Sequence, residues 1–229
     1  MEYFDDNEDL ALNFIHNLSD KKNVKSSELE KYISLLNPEQ KAAVEHSDSP
    51  LLILAGAGSG KTRVITTKIA YLINQKNVMP HSILAVTFTK KAAKEMMDRA
   101  VKLEPRAQSS MIRTFHSFGS WFLRKYYEHA GIAKNFTVYD DDDMITLVSK
   151  AIPELNKAQA SSVAHHISLA KDYCYLPDSP HLSDITNDLD FPLYYKLYQQ
   201  RLRQTGNVDF GDLIMLPVLL LEQNEQIRS

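Results

Sequence analysis

The 229-residue chain has a single cysteine, Cys174, so it has no internal disulfide and no partner cysteine for a zinc site. A reducing compartment is therefore expected. No apolar run approaches the roughly 20 residues that span a bilayer. The first residues, Met1-Glu2-Tyr3-Phe4-Asp5-Asp6, are acidic where a signal peptide is basic. These absences point to a cytoplasmic protein with no membrane partner. The first 35 residues contain neither glycine nor proline, and Leu10, Leu12, Phe14, Ile15, Leu18, Leu29, Tyr32 and Ile33 recur among charges. That stretch predicts two short amphipathic helices forming an N-terminal extension, with no chemistry of its own. The 44% hydrophobic content is enough for one large domain or two small ones.

Charge is scarce in sum and unevenly placed. The net charge is −3, but residues 51–134 carry 14 Lys and Arg against 4 Asp and Glu, while residues 1–50 and 135–229 are both acidic. A basic middle between acidic ends fits a polyanion site built into one part of a fold, and equally a solvated basic helix face.

Glycine is rare too, at seven residues, yet three fall between Gly56 and Gly60. They belong to the stretch Leu51-Leu52-Ile53-Leu54-Ala55-Gly56-Ala57-Gly58-Ser59-Gly60-Lys61-Thr62, which predicts a buried strand, a phosphate-binding loop and a helix start. Glycines let the backbone curl so that N–H groups face phosphate oxygens, and the helix N-terminus adds its positive end. Lys61 would supply a point charge to the terminal phosphates and the Thr62 hydroxyl a ligand for magnesium. Ala55 stands where the usual pattern has its first glycine.

Upstream, Asn37-Pro38-Glu39-Gln40 reads as a helix start, with Asn37 capping and Gln40 in the capping-box position. The Gln40 amide is also suited to reading an adenine edge, because it donates and accepts at once. Downstream, a helix over about Arg63–Asn74 leads to a strand at Ile83–Phe88, a helix from Thr89 to about Leu103, and a strand at Ser110–Thr114. A further helix runs to about Ala130, with Gly131 as its C-terminal cap. Such alternation predicts an α/β fold with a parallel sheet and helices on both faces.

Ligands bind beyond the carboxyl ends of the strands in sheets of this kind. There lie Thr87-Phe88-Thr89-Lys90 and Thr114-Phe115-His116, each joining hydroxyls to an aromatic within the basic segment. Hydroxyls and cations hold phosphates, and aromatics stack bases, which together suit single-stranded nucleic acid. The alternative is that Phe88 and Phe115 are core residues and the threonines cap helices. Residues 140–206 predict a helical insertion, opened by Asp140–Asp143 as a cap, and the adjacent His165 and His166 do not make a metal pair on one helix face. Val208-Asp209-Phe210-Gly211-Asp212-Leu213-Ile214 is expected to start another helix.

In this order, the motifs at Asn37–Gln40, Ala55–Arg63, Ala85–Thr89, Thr114–Ser117 and Val208–Ile214 resemble the UvrD/Rep/PcrA-like superfamily 1 DNA helicases, from about residue 36 onward. The alanine that opens the loop is that family's own form. The resemblance implies a P-loop NTPase (RecA-like) core at 36–139 and 207–229, interrupted by the insertion at 140–206. It also implies ATP and Mg2+ as cofactors, with ATP held by Gln40, Ala55, Gly56, Ala57, Gly58, Ser59, Gly60, Lys61, Thr62 and Arg63. It further implies DNA, chiefly single-stranded or a single-strand/duplex junction, along Thr87, Phe88, Thr89, Lys90, Thr114, Phe115 and His116, with movement 3′ to 5′. Lys90 stands where the family often has asparagine. The family's acidic Asp-Glu motif and second core domain have no match here, so the chain is expected to be an N-terminal piece that binds nucleotide but needs the remainder of the helicase chain for turnover. A P-loop phosphotransferase and a non-catalytic nucleic-acid-binding module are the alternatives from other classes.

Overall fold

Capping chemistry and apolar periodicity account for most of the elements in the computed structural model, which describes residues 29–47 and 49–229. The expected helices within residues 1–28 lie outside the described residues. The chain divides between Thr114 and Phe115 into two compact units.

In the first unit residues 29–34 are helical, and α1 (Pro38–Glu45) begins at the expected capping box. The Gln40 N–H donates to Asn37 Oδ1 at 2.8 Å and the Asn37 N–H to Gln40 Oε1 at 3.2 Å. Pro38 loses nothing at the first helical position, where its missing N–H would have no partner in the helix. Next come α2 (Lys61–Asn74), β1 (Leu84–Thr87), α3 (Lys90–Leu103) and β2 (Met111–Thr114). β1 and β2 pair in parallel, from Leu84 opposite Met111 to Thr87 opposite Thr114. Ile69 and Ile73 of α2, Met96 and Ala100 of α3, and Ile112 of β2 close one core over this pair.

The buried strand expected at Leu51–Leu54 is not formed. These residues take no regular structure, and Leu52 and Leu54 are 81% and 87% exposed. A strand covered on both faces needs hydrogen-bonded neighbours, and among the described residues β1 and β2 pair only with each other. The sequence pattern records an environment that these residues do not supply.

The second unit contains α4 (Phe115–Lys125), α5 (Tyr127–Ala130), β3 (Val138–Tyr139), α6 (Asp141–Ala151), α7 (Lys157–Asp172), α8 (Phe191–Gln204), β4 (Val208–Asp209), α9 (Asp212–Gln223) and α10 (Glu225–Arg228). The single helix expected up to Ala130 breaks at Tyr126, while Gly131 ends it as expected with φ +62°. Asp140 caps α6 and forms a box with Asp143, as the acidic run predicts. β4 corrects the expectation of a helix from Val208: it pairs in parallel with β3, and α9 starts only at Asp212. In the turn between β4 and α9 the Asp209 carboxylate accepts from the Asp212 N–H at 2.9 Å. α9 and α4 approach almost backbone to backbone, since a Cβ on Gly119 would lie 1.8 Å from the Leu213 carbonyl oxygen.

A helical core of α6, α7 and α8 surrounds the fully buried Ile167, Tyr195, Tyr198 and Leu202. At its edge, the buried ammonium of Lys171 donates to Asp209 at 2.5 Å and Asp212 at 2.8 Å, and the Tyr198 hydroxyl donates to Asp209 at 2.7 Å. Arg203 stands 3.5 Å from Asp212.

Candidate functional site

The loop between Ala55 and α2 is shaped by two left-handed glycines, Gly58 at φ +76° and Gly60 at φ +85°. Gly60 ends the loop and α2 starts at Lys61 with no side chain capping its first turn. The leading N–H groups of that helix are thus available to an anion, which the dipole also favours. Added Cβ atoms at Gly56 and Gly58 would meet nothing within 4 Å, so the loop mouth is open. The Lys61 ammonium lies across this mouth, donating to the carbonyls of Ala55 at 2.9 Å and Gly56 at 2.6 Å. Ser59 folds inward, its hydroxyl donating to Gly56 at 2.7 Å. The Thr62 hydroxyl beside them makes no hydrogen bond among the described residues. Uncapped N–H groups, an ammonium at the loop mouth and a spare hydroxyl are the set of groups that a magnesium–triphosphate needs.

Gln40 joins this loop from α1, its Nε2 donating to the Ser59 carbonyl at 3.0 Å. The same amide oxygen serves the capping box, so the structural and nucleotide-facing readings of Gln40 are compatible. A carboxamide has two N–H donors and two acceptor lone pairs. With one of each engaged at Ser59 and Asn37, one of each is left over. The pair left over is what an adenine N7 and N6 edge requires. Arg63 is turned the other way: its guanidinium lies 4.9 Å from the Tyr32 ring centre and Nη2 donates to the Leu35 carbonyl at 3.4 Å. Its buried Nε has no partner among the described residues.

The strand-end residues separate into distinct environments. Phe88 is 87% exposed, which removes it from the core reading, while Thr89 does cap α3 by accepting from the Ala92 N–H at 3.1 Å. Lys90 and Lys91 follow at the first positions of α3, where no acidic residue offsets the positive helix end. Cations there oppose the helix dipole and strengthen attraction for anions. Thr87 and Thr114 face each other at the carboxyl end of the strand pair. Thr114 is buried; in the other unit Phe115 and His116 are exposed in the first turn of α4.

Three residues near these groups went unread in the sequence. Tyr32 supports Arg63. Lys68 reaches from α2 to the end of α1, donating to Ala43 at 3.0 Å and also to His46. Phe210, 48% exposed, meets His116 edge-on at 5.7 Å between ring centres. In the sequence Phe210 stood only as a member of the Val208–Ile214 motif, with no role of its own, and the acids on either side of it are occupied with Lys171. Among the described residues no group of His, Cys, Asp and Glu is arranged to hold a metal, and no helix is long and apolar enough to cross a membrane.

Residues 36–229 match the family described as the UvrD/REP helicase N-terminal domain. Among curated proteins, the chain is 41% identical over 200 residues to the ATP-dependent DNA helicase Rep of Escherichia coli, covering 85% of this chain and 30% of that protein. It is 40% identical over 205 residues to a probable DNA helicase II homolog of Mycoplasma capricolum, covering 85% of this chain and 28% of the relative. The ATP-dependent DNA helicase PcrA of Bacillus subtilis is 38% identical over 206 residues, or 85% of this chain and 27% of that protein. The chain thus spans less than a third of the length of these relatives.

Proposed function

Given that this chain belongs to the UvrD/REP helicase N-terminal domain family, we propose that it is the ATP-binding part of an ATP-dependent DNA helicase that moves 3′ to 5′ along single-stranded DNA and unwinds duplex. The observation that carries the reading is the joint arrangement of an uncapped α2 start, an open glycine loop, Lys61 across its mouth and Gln40 wired to Ser59. In this reading the fold is a RecA-like parallel sheet, comprising 36–139 and 207–229, with 140–206 inserted, and the protein works in the cytoplasm.

The loop N–H groups and Lys61 hold the triphosphate, and Gln40 reads the base. Thr62 would ligate Mg2+, which supplies charge neutralisation at the β- and γ-phosphates when bound. Thr87, Phe88, Thr89, Lys90, Thr114, Phe115 and His116 serve single-stranded DNA or its junction with duplex, and the exposure of Phe210 beside His116 supports including it with them. The remainder of the helicase chain supplies the groups that complete hydrolysis. ATP turnover by the full-length protein, measured with and without a single-stranded oligonucleotide, tests this. DNA-stimulated turnover that falls at least about 100-fold in Lys61→Ala is expected, because phosphoryl transfer depends on complete positioning and charge stabilisation. Turnover indifferent to DNA, or full activity in the variant, would overturn it.

A further inference from the structure

We propose that Lys68 is a positioning residue that holds the Gln40 helix against the phosphate loop and so sets the preference for adenine. This rests on the nucleotide-site reading above and asks which group makes it selective. α1 is only eight residues long and buries only Ala43 and Val44, so apolar packing anchors it weakly. A helix of that length is marginal by itself. Polar ties at both ends compensate.

At the first end Gln40 holds Ser59. At the other, the Lys68 ammonium donates to the carbonyls of Ala43 at 3.0 Å, Val44 at 3.5 Å and His46. A helix leaves its last carbonyls without internal partners, and α1 has no basic residue of its own in that turn. An ammonium has three N–H groups, and here three carbonyls receive them. Lys68 makes no ion pair with a carboxylate among the described residues, and burial lowers its pKa. Its charge is committed to the backbone of α1.

Lys68 lies seven residues beyond Lys61 on α2, about 10 Å along the same face. One rigid helix therefore carries the phosphate-facing lysine at its start and the strut for α1 two turns later. Without the strut α1 is free to shift, and the leftover N–H and lone pair of Gln40 move with it. The loop N–H groups, built on residues 56–62, do not. Guanine sets an acceptor where adenine sets the N6 donor, so selectivity depends on where that lone pair sits.

Equilibrium dialysis of the full-length protein with ATP, GTP and inorganic tripolyphosphate tests this. Lys68→Met is expected to weaken ATP about tenfold and bring it close to GTP, the effect of losing one or two hydrogen bonds, with tripolyphosphate affinity held within about twofold. Lys68→Arg, which can still donate to the carbonyls, is expected to keep most of the preference. An unchanged ATP/GTP ratio in folded Lys68→Met, or a parallel loss of tripolyphosphate affinity, overturns the proposal. Should Lys68→Met fail to fold, Lys68→Gln enters the same assay, with about a threefold loss of preference expected for a weaker donor and an unchanged ratio again overturning the proposal. Gln40→Ala separates the two levels. If it too leaves the ratio unchanged, the base-reading role of Gln40 fails. If it abolishes the preference while Lys68→Met does not, only the role of Lys68 fails.

Discussion

Replacing Lys171 by methionine is expected to destabilise the second unit by about 3–4 kcal/mol at pH 7, and by clearly less in acid. Methionine nearly matches the stem in volume, so the loss is chiefly that of an ammonium hydrogen-bonded to two buried carboxylates at 2.5 and 2.8 Å. Burial alone pushes the Asp209 carboxyl up, but Lys171 outweighs this and holds it below the ordinary range. Asp212 is raised, chiefly by burial. Without the ammonium, Asp209 keeps the Tyr198 hydroxyl and the Asp212 N–H, and Asp212 keeps Arg203 at 3.5 Å. One negative charge remains uncompensated, and breaking such a pair typically costs about 3–5 kcal/mol.

The variant's escape is to bind one proton. For a carboxyl whose unfolded pKa is near 4, holding that proton at pH 7 costs about 4 kcal/mol, falling by about 1.4 kcal/mol per pH unit. The sign follows: the variant's folded pKa is raised, so its deficit grows as pH climbs from the unfolded value toward the raised one. Urea unfolding at pH 7 and pH 5, read by far-UV circular dichroism, should show the deficit shrinking to about 1.5 kcal/mol at the lower pH. A deficit below about 1 kcal/mol at pH 7, or one indifferent to pH, would refute the reasoning.

Gly119→Ala should be among the most damaging single-methyl changes, costing about 3 kcal/mol or more in thermal or urea unfolding, because the Leu213 carbonyl at 1.8 Å is backbone and cannot swing aside. Gly60→Ala combines a φ of +85° with a Cβ 3.0 Å from Gln40 Nε2, so a loss of about 1–2 kcal/mol should accompany weaker nucleotide binding by dialysis. Burial works to raise the Glu104 carboxyl, but hydrogen bonds from Arg106 and Asn74 hold it at about 2. Its folded pKa being depressed, its contribution is present above the unfolded value near 4.5 and is lost as pH falls toward 2, so acid unfolding of Glu104→Gln should be flatter over that window.

Local rules made the elements around Gln40 legible, since Asn37, Pro38 and Gln40 form a cap within one turn, and the same holds for Asp140 with Asp143. The loop was readable because left-handed backbone at Gly58 and Gly60 demands glycine. Non-local contacts were not readable. Nothing near Lys68 in the chain marks it as a partner for carbonyls 22 to 25 residues earlier. Asp209 and Asp212 are spaced like a local turn pair, bonded to each other across three residues, and that spacing hides their pairing with Lys171 about 40 residues away. The apolar run at Leu51–Leu54 misled for a further reason: local hydrophobicity does not show whether a neighbouring strand is there to pair with it.

That uncovered run has a practical side. Four consecutive branched aliphatic side chains, each at least 40% exposed, form a sticky apolar segment without charge or proline. In concentrated solution the protein is expected to self-associate through it, more as concentration rises and more strongly in sulfate. Isolating or crystallising the segment would then go best with a solubilising exchange such as Leu52→Lys or Leu54→Glu, placed where the side chain already faces water.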